Sequence, residues 1–383
     1  SKVDSVFEYM DLYGQLSFET LPFNEIDAVI LARLSFIPFD DFVSPHFNES
    51  IPLGEACRKV DALPERTDNA FWPGDVKLMR SVIGRKRFAE LPVSGYVNIL
   101  HEEDESQFAA VCYTLPDDVR YLAYRGTDDN LVGWKENFNM SFTFPVPAQK
   151  SAALYFEKAA REMPSARFIL GGHSKGGNLA IYAAAFCSEE ARENILKIYN
   201  FDGPGFREKT LQRKGYRAVR SRIITYVPQS SIIGMILEQE GEYTIVHSEN
   251  IGLLQHDIMS WACDLANLCF VPVESFTSRS RLFDHAFRRW LEAMSLEHRE
   301  YFVDTIFAVM EETGAKTLTD FRENKFHNLR IILKTIRGQD EETRQLMRET
   351  FRMLFRSAKA EAARLISEKQ SQRRQADSPG DLL

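Results

Sequence analysis

The chain has 383 residues, 44% hydrophobic and 27% charged, the make-up of an ordinary soluble protein with room for one large α/β domain and additions to it. Its formal net charge of −8 gives the surface as a whole no attraction for nucleic acid, so no nucleic-acid partner is expected. The five cysteines are odd in number and form no C-x-x-C pair, which argues against a disulfide framework or a zinc site and for free thiols in a reducing cytosol.

The first ninety residues read as mainly helical. Apolar residues at 23, 26, 30 and 34 make one face of a helix, with Asn24 placed to cap it, and prolines at 38, 45, 52, 64 and 73 cut the rest of this region into short pieces. No basic segment leading into a short apolar run opens the sequence, and no apolar run reaches the length of a membrane span. The expectation is a cytoplasmic protein without a transmembrane segment. Residues 1–92 are thus expected to be a helical extension packed on a core at 93–270.

In that core the period changes. Tyr96 to Leu100, Gln107 to Leu115 and Val119 to Tyr124 are β-rich runs separated by acidic or Pro-Asp turns, as in an antiparallel meander. A helix over 146–163 leads to a strand ending near Gly171, and helix and strand then alternate: helix 178–192, strand 196–201, a charged helical connection, strand 222–227, an apolar segment 232–237 and strand 242–247. The alternation predicts an α/β fold with a mostly parallel sheet and helices on both faces. After Asp257 the pattern reads as helical to the end, with residues 271–375 a helical C-terminal region and 376–383 a frayed tail. Leu346, Met347, Phe351, Leu354 and Phe355 form a stripe there that either packs on the body or joins a partner, a second copy of the chain included.

The core is organised around Gly172-His173-Ser174-Lys175-Gly176, a Gly-x-Ser-x-Gly sequence between a strand and a helix. This is the signature of a nucleophile elbow, in which Gly172 and Gly176 permit a turn so sharp that the Ser174 hydroxyl is lifted clear of the sheet. A serine needs a base, and the base needs a group to fix its tautomer. On such an elbow the chain order is serine, acid, histidine. His173 should point away from the serine, and His285, His298 and His327 fall within amphipathic helices. His256, on a loop after the last strand, is the preferred base, with His247 the alternative. Asp257 reads as a helix cap. Asp202, at the end of the strand after the elbow helix, is the candidate acid, although Phe201-Asp202-Gly203-Pro204-Gly205 also reads as a turn. The oxyanion hole would be made by the backbone of Lys175 and by Thr127, in the loop after an earlier strand.

With these residues in view, the chain resembles the class 3 (triacylglycerol) lipases of the α/β-hydrolase superfamily, and more closely a bacterial lipase-like family of unestablished function. The resemblance rests on Tyr124-Arg125-Gly126-Thr127 with Trp134 beyond it, on the elbow, and on the segments around Asp202 and His256. It implies an α/β-hydrolase-like fold and ester hydrolysis through an acyl-serine, without metal or organic cofactor. One departure stands out: the turn where those lipases carry their acid is here Val227-Pro228-Gln229-Ser230, without a carboxylate. Either Asp202 takes that role from the preceding strand or the triad is incomplete. The apolar stretch 231–237 would roof an acyl pocket or act as a lid, unless it packs in the core, and the expected substrate is a small-molecule or lipid acyl ester. The alternative is a lipase-like fold that binds an acylated ligand or a protein without turnover.

Overall fold

Eight strands lie in one sheet in the order of the sequence. The computed structural model describes residues 3–68, 73–101, 106–125, 145–229, 243–250 and 255–274, with isolated positions between 330 and 370. A two-residue edge strand β1 (Ile51–Pro52) pairs with β2 (Pro92–His101), which continues antiparallel into β3 (Ser106–Leu115) and β4 (Val119–Arg125). The β3–β4 turn is closed by Asp117 and Asp118, both at positive φ (62° and 58°), the left-handed pair whose twist suits a tight hairpin. From β4 onward every pairing is parallel, through β5 (Arg167–His173), β6 (Ile195–Phe201), β7 (Ile223–Pro228) and β8 (Tyr243–Val246).

Adding parallel strands one after another in a single direction has a consequence. Each right-handed crossover deposits its helix on the same face of the sheet. That face is lined by Phe108, Ala110, Cys112, Leu122, Tyr124, Phe168 and Leu170, and the crossover helices cover it. The opposite face presents the alternate residues Val111, Tyr113, Tyr121, Ala123, Ile169, Tyr199 and Phe201, and among the described residues no crossover helix reaches it.

The N-terminal helices cover that second face. They are α1 (Val6–Tyr13), α2 (Glu25–Leu34), α3 (Leu53–Asp61), α4 (Pro64–Asp68), α5 (Pro73–Ile83) and α6 (Lys86–Ala89). The sheet itself begins among them, at β1. Asn24 caps α2, accepting from the amides of Ile26 and Asp27, while the Asp27 carboxylate accepts from the Asn24 amide. The expectation of a single apolar stripe on α2 needs correcting, because every residue from Ile26 to Leu34 is buried. The helix lies between the sheet and the other N-terminal helices, so both of its sides face protein. The crossover layer comprises α7 (Pro147–Glu162), α8 (Lys175–Phe186), α9 (Glu189–Glu193), α10 (Glu208–Leu211) and α11 (Lys214–Val219).

A second correction concerns the stretch after Asp257, which read as helix. Residues 258–260 form one 3-10 turn, and the chain then makes a short antiparallel pair, β9 (Cys263–Asp264) with β10 (Cys269–Phe270). Bridges from Val246 to Pro272 and from Ser248 to Trp261 draw this segment along the sheet edge. Pro272 has no N–H to give a helix, and the Trp261 and Phe270 rings, 5.5 Å apart between centroids, are buried against the second face. The stretches 231–237 and 283–329 lie outside the described residues, as do the apolar positions of the 340–375 stripe. Among the described residues no helix is long and apolar enough to cross a membrane.

A buried ion pair ties the N-terminal layer together. Arg87 grips Asp27 through Nε and Nη2 (2.9 and 2.6 Å), and its Nη1 donates to the carbonyls of Leu16, Ser17 and Leu21. Removing the cation leaves a buried carboxylate and three carbonyls without their donor. Arg87→Met is therefore expected to lower the unfolding free energy by about 3–5 kcal/mol, measured by urea denaturation.

Candidate active site

Ser174 is the only residue between β5 and α8, and it sits at φ 61°, ψ −131°, a region that side chains other than glycine rarely occupy. Neighbouring backbone enforces this strain. The Ser174 amide donates to the Phe201 carbonyl at 2.9 Å, and the Ser174 carbonyl accepts from the Gly177 amide at 2.9 Å. Gly172 is required because a Cβ there would stand 2.3 Å from the backbone carbon of Gly176. The sequence pointed to these two glycines but not to Gly177 and Gly203, where a Cβ would fall 2.1 and 2.5 Å from Asn200 Oδ1. The buried Asn200 side chain thus wedges the elbow against the loop after β6, and it accepts from the Gly203 amide at 2.9 Å.

Asp202 begins that loop, also at positive φ (54°), with its amide bonded to the Tyr226 carbonyl at 2.8 Å. Its carboxylate, on a side chain 1% exposed, meets His256 Nδ1 at 2.6 Å. A carboxylate only accepts, so Nδ1 carries the proton of this bond and Nε2 is turned away from it. The His256 ring lies 4.4 Å from that of His173, the residue before Ser174, at a 30° tilt. Asp202 and His256 are therefore brought together, with the His256 ring against the residue that precedes Ser174. Between these described side chains, Ser174 and His256 are not hydrogen-bonded to each other.

The other candidates fall elsewhere. His247 pairs with Glu249 at 2.6 Å on the exposed side of the sheet edge. Asp257 accepts from the Met259 amide at 3.0 Å and caps the 3-10 turn. Lys175 is fully buried at the start of α8. Thr127, Gly126 and Trp134 lie outside the described residues.

Several supporting residues carry no sequence motif. The buried Trp261 indole donates to the Gln255 carbonyl at 2.7 Å, immediately before His256. Asn178 donates to the carbonyls of Pro204 and Gly205 (2.9 and 3.0 Å) and accepts from Gln149, tying the Asp202 loop to α8 and α7. His173 faces the N-terminal layer, where its Nδ1 lies 3.0 Å from Arg33 Nη1, and its Nε2 lies 2.8 Å from the His256 carbonyl. Arginine only donates, so Nδ1 accepts and Nε2–H donates. Burial, with His256 and Arg33 adding to it, holds the His173 pKa well below the ordinary histidine value. One signal of this arrangement was present in the sequence: Arg33 is the single cation in the apolar run from Ala28 to Leu34.

The thiols are poor rivals to Ser174 as nucleophiles. Burial pushes Cys112 up to about 12 and Cys187 up to about 11, and raises Cys57, Cys263 and Cys269 as well. Among the described residues, no group of three or more His, Cys, Asp or Glu could hold a metal ion.

Sheet, crossover layer and elbow define an α/β-hydrolase-like fold. The Mbeg1-like family model matches residues 82–308, more than half of the chain, and the chain belongs to that family. No curated protein matches it. Similar solved structures include the Rhizomucor miehei lipase propeptide complex, at 16% identity and a TM-score of 0.32 over 41% of this chain; the match spans 57% of that structure's chain. A mutant of MDLA from Penicillium cyclopium matches at 9% identity and a TM-score of 0.38, over 69% of this chain and 86% of that one. Lipase II from Rhizopus niveus matches at 14% and 0.31, over 52% and 82%.

The depressed His173 pKa sets a pH dependence. Below about pH 6.5 the unfolded chain takes up a proton at this residue that the folded chain refuses, so its contribution to stability is lost as pH falls. Relative to His173→Gln, the wild type is expected to lose unfolding free energy as pH falls from 6.5 to 5, by at most about 1.4 kcal/mol per pH unit, measured by urea denaturation at each pH.

Proposed function

We propose that this chain is a serine hydrolase that cleaves carboxylic esters, a lipid or other acyl ester being the substrate class, through an acyl-serine intermediate. The observation that carries the reading is the 2.6 Å contact between His256 Nδ1 and Asp202, taken with a serine held at φ 61° on the turn after β5. Ser174 Oγ attacks the acyl carbonyl while His256 Nε2 takes its proton. The oxyanion is met by the Lys175 amide at the N-terminus of α8 and by Thr127. His256 then hands the proton to the leaving alcohol, and a water activated by the same nitrogen releases the acid. Asp202 orients His256 from the loop after β6, which supplies the carboxylate that the turn after β7 lacks. Five free cysteines, four of them buried, suit a reducing cytosol as the site of action.

A second reading is favoured by one observation, the unmade bond between Ser174 and His256. On that reading the fold binds an acylated ligand or a protein without turnover.

A fluorophosphonate probe separates the two. The hydrolase is labelled on Ser174, and labelling disappears in Ser174→Ala; a wild type left unlabelled favours the binding module. In the hydrolase, Asp202→Asn leaves the wrong histidine tautomer, and kcat on a p-nitrophenyl ester is expected to fall about 10³- to 10⁴-fold with little change in KM.

A further inference from the structure

We propose that Asp75, Arg33 and His173 form a positioning relay that fixes the main chain of His256, and so sets the approach of its imidazole to Ser174. The relay rests on the reading of Ser174, His256 and Asp202 as the catalytic set. It begins in the N-terminal layer. Asp75 on α5 and Arg33 on α2 are 1% and 5% exposed, and the guanidinium holds the carboxylate through Nε and Nη2 at 2.6 and 2.7 Å. Its third nitrogen, Nη1, donates to His173 Nδ1, and its central carbon stands over the Phe36 ring, 3.6 Å from the centroid. All three guanidinium nitrogens and one face are thereby committed.

The direction of each bond is forced. Because Arg33 can only donate, His173 is held as the tautomer with its proton on Nε2, and that proton goes to the His256 carbonyl. The preceding carbonyl, Gln255, is held by Trp261. Two successive peptide groups are thus pinned from the N-terminal face, while Asp202 holds the ring from the sheet end. What stays adjustable is the approach of the base to the serine. A misplacement of about 1 Å at such a gap costs roughly 100-fold in rate.

Packing alone does not account for these residues. A buried ion pair adds little stability over hydrophobic residues of similar volume. The fork geometry does explain an arginine. Lysine presents no planar pair of donors for Asp75 together with a third for His173.

The test is the second-order rate of fluorophosphonate labelling of the full chain at pH 8, with thermal melting as a check on folding. His173→Gln keeps an N–H within reach of the His256 carbonyl, whereas His173→Asn keeps an acceptor for Arg33 but is too short to donate to His256. The relay predicts labelling about 10- to 100-fold slower in His173→Asn and within a few-fold of wild type in His173→Gln. It also predicts that Arg33→Lys slows labelling in the wild-type background and adds nothing in His173→Asn. Equal rates for the Asn and Gln variants, or an Arg33→Lys effect that persists in His173→Asn, would overturn the relay while loss of labelling in His256→Ala leaves the triad standing. A wild type that is not labelled, or is labelled as well after Ser174→Ala, removes the catalytic reading and the relay with it.

Discussion

Parallel strands added in order, each through a right-handed crossover, place all their helices on one side of the sheet, and β4 to β7 are added in order. The second face is as apolar as the first and must be covered by chain from elsewhere. Here the cover comes from the N-terminal helices and from the Trp261–Phe270 segment. The N-terminal region is accordingly half of the sandwich, and its loss would expose Tyr113, Tyr121, Ile169 and Phe201 to water.

The same constraint shapes the site. Side chains alternate along β5, so Phe168 and Leu170 enter the crossover layer while Ile169 and His173 enter the N-terminal layer. Ser174, just past the strand end, belongs to neither. Its strained backbone is stabilised on one side by Asn200 and Asn178 in the crossover layer, and its proposed base is held on the other by His173, Arg33 and Trp261. Both ends of the Asp202–His256 pair are fastened by backbone as well as side chain. Asp202 stands at positive φ with its amide on Tyr226, and the His256 carbonyl accepts from His173. Strained conformations at Ser174 and Asp202 persist because packing on both sides over-determines them.

The legible parts of this arrangement were those encoded locally. Glycines flanking a serine between an apolar run and a helical pattern mark a turn whatever surrounds it, and Pro-Asp-Asp between two β-rich runs marks a hairpin. Asp202 and His256 were reachable through chain order and strand ends. Asp75 and the partner of Arg33 were not, because the contact of Arg33 with His173 spans 140 residues and no spacing rule connects them. The apolar pattern of α2 pointed to one buried face, whereas burial on all sides depends on how many layers a helix lies between. The helical reading after Asp257 failed for a related reason: local propensity there is overridden by bridges to Val246 and Ser248 at the sheet edge.

Everything proposed for the site turns on a covalent bond to one oxygen. The most direct measurement is acid quenching during turnover of a p-nitrophenyl ester, followed by peptide mapping by mass spectrometry. The account predicts the acyl mass on the peptide that carries Ser174 and its absence from Ser174→Ala. An acyl group found instead on a cysteine or lysine, or turnover that survives Ser174→Ala, would contradict it.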